Sequence, residues 1–200
     1  KTGISHWVEH IQFKGTRKFP AQALDKAISR DGGVWNAFTY MDWTTYFETM
    51  PADKIDLALR LEADRMVNSL FDKEEVASER TVIISEREGH ENEPMFLLGE
   101  AVQHAAFRVH PYHHEIVGDK ADLLTISRDD LYRHYKTFYV PNNAVLAAAD
   151  QRACGVLGLD QSVGIEYQLS PLRILAIEPR GGDVILQLVI DAQREIVRFE

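Results

Sequence analysis

Cysteine occurs once in the 200-residue chain, at Cys154, which excludes an internal disulfide and any zinc site built from several thiolates. No apolar run approaches the ~20 residues that a membrane-spanning helix needs, and no signal-peptide pattern is present. Basic residues are the minority, 22 against 31 acidic ones, giving a net charge of −9. Nucleic acid, whose recognition needs a basic surface, is set aside as a partner; long-range attraction would suit basic peptides instead. No tandem repeat or low-complexity tract interrupts the chain. The composition, 45% hydrophobic and 26% charged, is that of a folded protein with one sizeable core or two small ones.

What the chain does have is an H-x-x-E-H pattern at its start: His6, Glu9 and His10. A helix turns about 100° per residue, so positions i and i+4 share a face and two imidazoles there can reach one ion. Glu9 lies beside that face, where a carboxylate can take the proton of an attacking water, as in zinc hydrolases of the inverted motif. The competing reading is an amphipathic helix with two ordinary histidines and a surface glutamate. Local signals favour a helix in either case: Ser5 is the expected N-cap, Ile4, Val8 and Ile11 recur at helical spacing, and Gly15 ends the run.

A catalytic zinc takes three protein ligands and keeps a fourth position open. Asp72 to about Gly89 reads as a helix, with Asp72 as N-cap and Glu75 completing a capping box. Val76, Glu79, Ile83 and Glu86 fall on one face of it, so two carboxylates share a stripe with core-type side chains and need a partner or a metal. Glu86 is the candidate third ligand. Glu79 stands seven residues earlier, about 10 Å along the helix, too far to bind the same ion easily, and suits a supporting role. Salt bridges to Arg80 and Arg87 on a solvated face are the alternative for both glutamates. His90 is a rival ligand, placed after a glycine, Gly89, that should weaken the helix.

These residues carry a family resemblance. The run from Gly3 to Thr16, with Phe13, Lys14, Gly15 and Thr16 after the motif, resembles the catalytic helix of the pitrilysin/insulinase metallopeptidases, a group that includes mitochondrial processing peptidase. Members place their third zinc ligand 76 positions after the second histidine, and that position here is Glu86. The stretch Glu79 to Glu86 is similar to the family's E-R-x-V-I-x-x-E segment, and likeness continues through Gly32 to Pro51 and Pro141 to about Ala149. The resemblance implies one zinc ion held by His6, His10 and Glu86, Glu9 as the base, and Glu79 in support. It also implies an edge strand that takes the peptide by strand addition, with Asn36 and Ala37 touching the substrate backbone. For Asn36 the alternative is a polar residue on a solvent-facing strand surface. A zinc endopeptidase acting on peptides or unfolded polypeptides, completed by a second homologous half or subunit, is the implied protein. A non-catalytic zinc-binding fragment or scaffold subunit is the other reading, and an acidic α+β binding domain with a coincidental motif is the third.

The rest of the chain reads as α+β, an antiparallel or mixed sheet packed against several helices. Helices are expected at Pro20 to Ser29, Ala52 to Leu70, Pro94 to about Val109, and Arg128 to Tyr139 with Ser127 as cap. The stripe Ile55, Ala58, Leu59, Ala63, Met66, Val67 and Leu70 should place the second of these on the sheet. Strands are expected at Val34 to Tyr40 and Trp43 to Met50, turning near Met41 and Asp42, and from Pro141 to Ala149 after a turn at Asn142 and Asn143. His110, His113 and His114 fall among prolines and glycines without ligand spacing, so a second metal site is not expected there.

Two departures from the family stand at the ends. The chain opens on Lys1 almost directly at the motif, so an upstream segment carrying further strands of the sheet is expected. Residues 1–149 are assigned to the catalytic metallopeptidase domain, while 150–200 form a divergent segment that does not follow the family pattern. Within that segment, Val184 to Ile190 is a β-like run, with Pro179, Gly181 and Gly182 as a turn.

Overall fold

A computed structural model describes residues 1–150, 164–169, 172–177 and 183–191. Its first helix, α1 (Ile4–Gln12), buries Trp7, Val8 and Ile11 completely, the side of the helix that packs into the core. Its N-cap is Gly3 and not Ser5. Gly3 has φ 76°, and a Cβ there would sit 2.4 Å from the Val117 carbonyl oxygen, so only glycine lets the two chain segments meet. Ser5 is already inside the helix, where its hydroxyl bonds His134 Nε2 at 2.9 Å.

After α2 (Ala21–Arg30), the strands β1 (Val34–Thr39) and β2 (Trp43–Pro51) pair antiparallel in the register Val34↔Thr49 to Thr39↔Thr44. Helix α3 (Ile55–Asn68) follows a single 3₁₀ turn at Ala52–Lys54. Its buried face differs from the expected stripe: Val67, and Leu70 beyond the helix end, are exposed, while Glu62 and Arg65 are buried with Ala58, Leu61 and Met66. The charges are tolerated because Arg65 donates to Glu62 Oε2 at 2.8 Å and to Glu48 Oε1 of β2 at 3.3 Å.

Helix α4 (Lys73–Glu91) is capped by the Asp72 carboxylate, which accepts from the Glu74 and Glu75 amides. It runs through Gly89 to Glu91. The roughly 1 kcal/mol penalty of a helical glycine is set against an end held by Arg87, which pairs with Glu91 at 2.9 Å and with Glu100 at 2.7 Å. Then come α5 (Pro94–Ala106), ending three residues before the expected Val109, and α6 (Lys120–Thr125), a short helix with no sequence signal. Helix α7 (Arg128–Phe138) has the expected Ser127 cap, completed by Asp130 into a capping box.

The strand β3 (Ala144–Asp150) follows a 3₁₀ turn at Pro141–Asn143. A hairpin of β4 (Gly164–Leu169) and β5 (Leu172–Ile177) forms a small sheet of its own. The last strand, β6 (Asp183–Asp191), contains the β-like run at Val184 to Ile190 and enters the main sheet, whose order is β1-β2-β6-β3 with every pairing antiparallel. The turn expected at Pro179, Gly181 and Gly182 lies outside the described residues. The fold is therefore α+β. One core joins α1, α4 and α7 to Tyr46, Leu188 and Ile190 of the sheet; a second gathers Leu24, Ile28, Met50, Ala58 and Leu61 between α2, α3 and the sheet. Among the described residues no helix is long and apolar enough to cross a membrane.

Candidate metal centre

Burial of Trp7, Val8 and Ile11 turns the opposite side of α1, with His6 and His10, toward α4 and β1. The two Nε2 atoms stand 3.2 Å apart, and Glu86 Oε2 lies 3.8 Å from each of them. Zinc bonds of 2.0–2.1 Å at tetrahedral angles require ligand atoms about 3.4 Å apart. The three donors thus already outline one face of a coordination tetrahedron. They are the only His, Cys, Asp or Glu cluster of this kind among the described residues. His90 lines the same cavity but stands outside the cluster.

Glu79 points at the back of the site. His10 Nδ1–H donates to Glu79 Oε1 at 2.8 Å, which fixes the tautomer and leaves Nε2 free to bind an ion. Lys14 approaches the other oxygen of Glu79 at 2.5 Å. The hydrogen bond from His10, reinforced by Lys14, holds the Glu79 carboxyl down to about 2. Burial opposes a charge on His10, but the Glu79 hydrogen bond and the charges of Glu9, Glu79 and Glu86 outweigh it and raise the imidazole. His6 is pushed the other way, to about 3, by burial first and then by the imidazoles of His10 and His90. The surface ion pairs considered for Glu79 and Glu86 do not form: Arg80 donates to the carbonyls of Leu124 and Ile126, and Arg87 turns to Glu91 and Glu100.

Glu9 is buried, and burial raises its carboxyl against the opposing pull of a hydrogen bond from Thr39 Oγ1 at 2.6 Å. Thr39 in turn meets Thr44 Oγ1 at 3.2 Å, Thr44 meets the Tyr139 hydroxyl at 3.1 Å, and that hydroxyl donates to the Ser5 carbonyl. A chain of hydroxyls from β1, β2 and the residue just after α7 therefore fixes the carboxylate relative to the start of α1. A cavity of about 370 Å³ opens over the cluster, lined by His6, Glu9, His10 and Glu86 and by Ala37 to Thr39 of β1. Ala37 reaches this cavity. Asn36 does not: it lies on the exposed face of β1, where its Oδ1 accepts from the Ala37 amide at 2.9 Å.

Sequence reasoning passed over Lys14 and Thr39. Both had a signal: Lys14 follows His10 by one helical turn, and Thr39 alternates with Ala37 on the same strand face. Among the described residues, His110, His113 and His114 form no cluster of three ligand atoms. His113 Nδ1 bonds the Phe107 carbonyl and His110 Nδ1 accepts from the Tyr112 amide.

Comparison with known proteins gives this geometry a context. The chain is 33% identical over 147 residues to the zinc protease PqqE of Helicobacter pylori, a match covering 73% of the chain and 33% of that protein. A probable mitochondrial-processing peptidase subunit beta of Arabidopsis thaliana is likewise 33% identical over 147 residues, covering 74% of the chain and 28% of the relative. The crystal structure of a protease from Helicobacter pylori superimposes with a TM-score of 0.69 at 33% identity, over 72% of this chain and 35% of that one. The chain thus spans about a third of the length of the relatives it matches. A family model described as insulinase (peptidase family M16) matches residues 1–120. From that match and these relatives, the chain belongs to the insulinase family of peptidases.

Proposed function

We propose that residues 1–149 form the metal-bearing domain of a zinc-dependent endopeptidase, with 150–200 as a divergent segment that lends β6 to its sheet. The observation that carries this reading is the triangle of His6 Nε2, His10 Nε2 and Glu86 Oε2, whose edges of 3.2, 3.8 and 3.8 Å suit one zinc ion. When bound, zinc supplies Lewis acidity toward the scissile carbonyl and toward water. Glu9 takes the proton of the attacking water and returns it to the departing amine. Thr39 orients Glu9 through its hydrogen bond, and Glu79 orients His10. The free edge of β1 accepts the extended peptide by strand addition, with Ala37 beside the reacting bond and Asn36 releasing the Ala37 amide as the peptide pairs.

The test is zinc stoichiometry measured together with chelator-sensitive cleavage of an unstructured peptide. One zinc per chain and cleavage abolished by chelation are expected, and His6→Ala should lose the metal. Unchanged zinc content in His6→Ala would remove that residue from the site. Glu79→Gln should bind zinc about 10–100-fold more weakly, because a carboxamide holds the His10 ring without a charge. Competition against a chromophoric chelator reads this directly, and parent-like affinity would deny Glu79 its orienting role.

A second homologous half or subunit is the proposed partner, in keeping with the relative named as a mitochondrial-processing peptidase subunit beta. A zinc-binding scaffold whose activity needs that partner is the second reading. Helix α5 adds to it by leaving Met95, Leu97, Leu98 and Val102 exposed. Stoichiometric zinc without cleavage would favour the scaffold.

A further inference from the structure

Beyond the metal centre lies a second cavity, of about 460 Å³, which shares Thr39 and Ile116 with the first. The metal cavity is lined by Ala37, Phe38 and Thr39, and the second by Thr39, Tyr40 and Met41, so the two follow one another along a single strand. An extended chain advances about 3.3 Å per residue and repeats its side-chain direction every second residue. A peptide lying along β1 with its reacting bond at the metal therefore carries a side chain into the second cavity two residues away. We propose that this cavity is the main selectivity pocket for substrate, and that it takes a bulky apolar side chain.

The lining chemistry selects that class. Ile4, Tyr40, Met41, Ile116 and Phe138 supply apolar surface, and among the described residues no carboxylate lines it. Two of its polar side chains already engage each other, Ser5 Oγ and His134 Nε2 at 2.9 Å. Lys1 Nζ is held by Asp130 at 2.9 Å and by the Thr125 carbonyl at 2.8 Å. Burial drives His134 to about 4, so its imidazole is neutral near pH 7. A lysine or arginine side chain entering here would lose its water and find no counter-ion, despite the net charge of −9. The outer wall is fixed before any ligand arrives. Gln103 Nε2 of α5 donates to the carbonyls of Tyr112 at 2.7 Å and His114 at 3.1 Å, and the Tyr112 hydroxyl donates to Asp42 at 2.5 Å. The segment carrying Pro111, His114 and Ile116 is thereby tied to α5 and to the β1–β2 turn.

This inference rests on the peptidase reading only for its register, and the experiment separates the two. The full 200-residue chain, loaded with zinc, is given a peptide library randomised on both sides of a central position, and cleaved products are sequenced. In parallel, zinc-loaded Glu9→Gln protein is titrated with fluorescein-labelled peptides that differ at one position, and binding is read by anisotropy. Phenylalanine, leucine or methionine two residues from the cleaved bond should be favoured about tenfold over lysine, with the same order in the anisotropy series. Met41→Trp should erase the preference by filling the cavity, and Met41→Glu should invert it toward lysine by supplying the missing counter-ion. Cleavage without a preference at that position, or a preference unmoved by both substitutions, overturns the pocket and leaves the peptidase reading intact. Binding with the apolar order but no cleavage supports the pocket and removes the peptidase reading. Absence of both binding and cleavage overturns both.

Discussion

Replacing Glu9 by glutamine is expected to leave zinc bound at parent stoichiometry and to slow peptide hydrolysis by about 10²–10⁴-fold, the range for loss of a positioned proton acceptor. The substitution preserves volume and keeps an oxygen for Thr39, whose hydroxyl donates to Glu9 at 2.6 Å. Position is therefore retained and proton affinity is lost. Glu9 stands outside the His6, His10 and Glu86 triangle, so the metal should not respond. The measurement is kcat on an unstructured peptide beside metal content from the same preparation. Hydrolysis at the parent rate would remove Glu9 as the base; loss of zinc together with activity would place it among the ligands. The raised carboxyl also fits this role, because burial brings its proton affinity nearer to that needed for exchange at neutral pH.

How much of this was readable beforehand follows from how local each signal is. The motif helix, the inward face of α4 and the capping of α4 and α7 depend on neighbours within a turn or two, and the sequence carries them openly. The Asp72 carboxylate and the Ser127–Asp130 box are where side-chain chemistry alone would place them. Gly3 was overlooked as a cap because its necessity comes from Val117 and Gly118, more than a hundred positions away. Helix α6 is six residues long, too short for periodicity to register. The exposed Val67 and Leu70 misled because an apolar stripe shows where burial is favourable, whereas partners across the fold decide what is buried. The same holds for β6: its residues announce a strand, but its position between β2 and β3 is a property of the sheet. At the site, helical spacing offered Glu86 as a candidate beside His90 and the family resemblance singled it out, while the support from Lys14 and Thr39 required the helices and strand to be packed first.

Removing the cation buried beneath the sheet should have the largest effect on stability, and Arg65→Met is expected to cost about 3–5 kcal/mol. Arg65 is 1% exposed, and its guanidinium lies 4.1 Å from the centre of the Tyr46 ring while bonding both Glu62 and Glu48. Burial, followed by the charge of Glu62, raises the Glu48 carboxyl well above the ordinary carboxylate range, and the guanidinium is the group that makes negative charge tolerable here. Taking the guanidinium away leaves that charge in the interior with no partner, a penalty larger than the attraction that the ion pair contributed. Methionine fills most of the volume, which keeps the loss from being a cavity effect. The triple substitution Arg65→Met, Glu48→Leu and Glu62→Leu separates these contributions: with all three ionisable groups gone, stability should return to within about 1 kcal/mol of the parent. Urea unfolding of the single and triple variants reads both values. Equal losses in the two would mean that side-chain shape rather than charge governs this part of the core. A negligible loss in Arg65→Met would show that water reaches the glutamates and that the network is open. Arg65 also lowers the proton affinity of Glu9 by its charge, and it sits beside Phe13 directly after the motif helix. The charge of the cluster that braces α3 against the sheet therefore reaches Glu9, and an Arg65→Met protein that stayed folded is expected to have a Glu9 carboxyl of higher proton affinity.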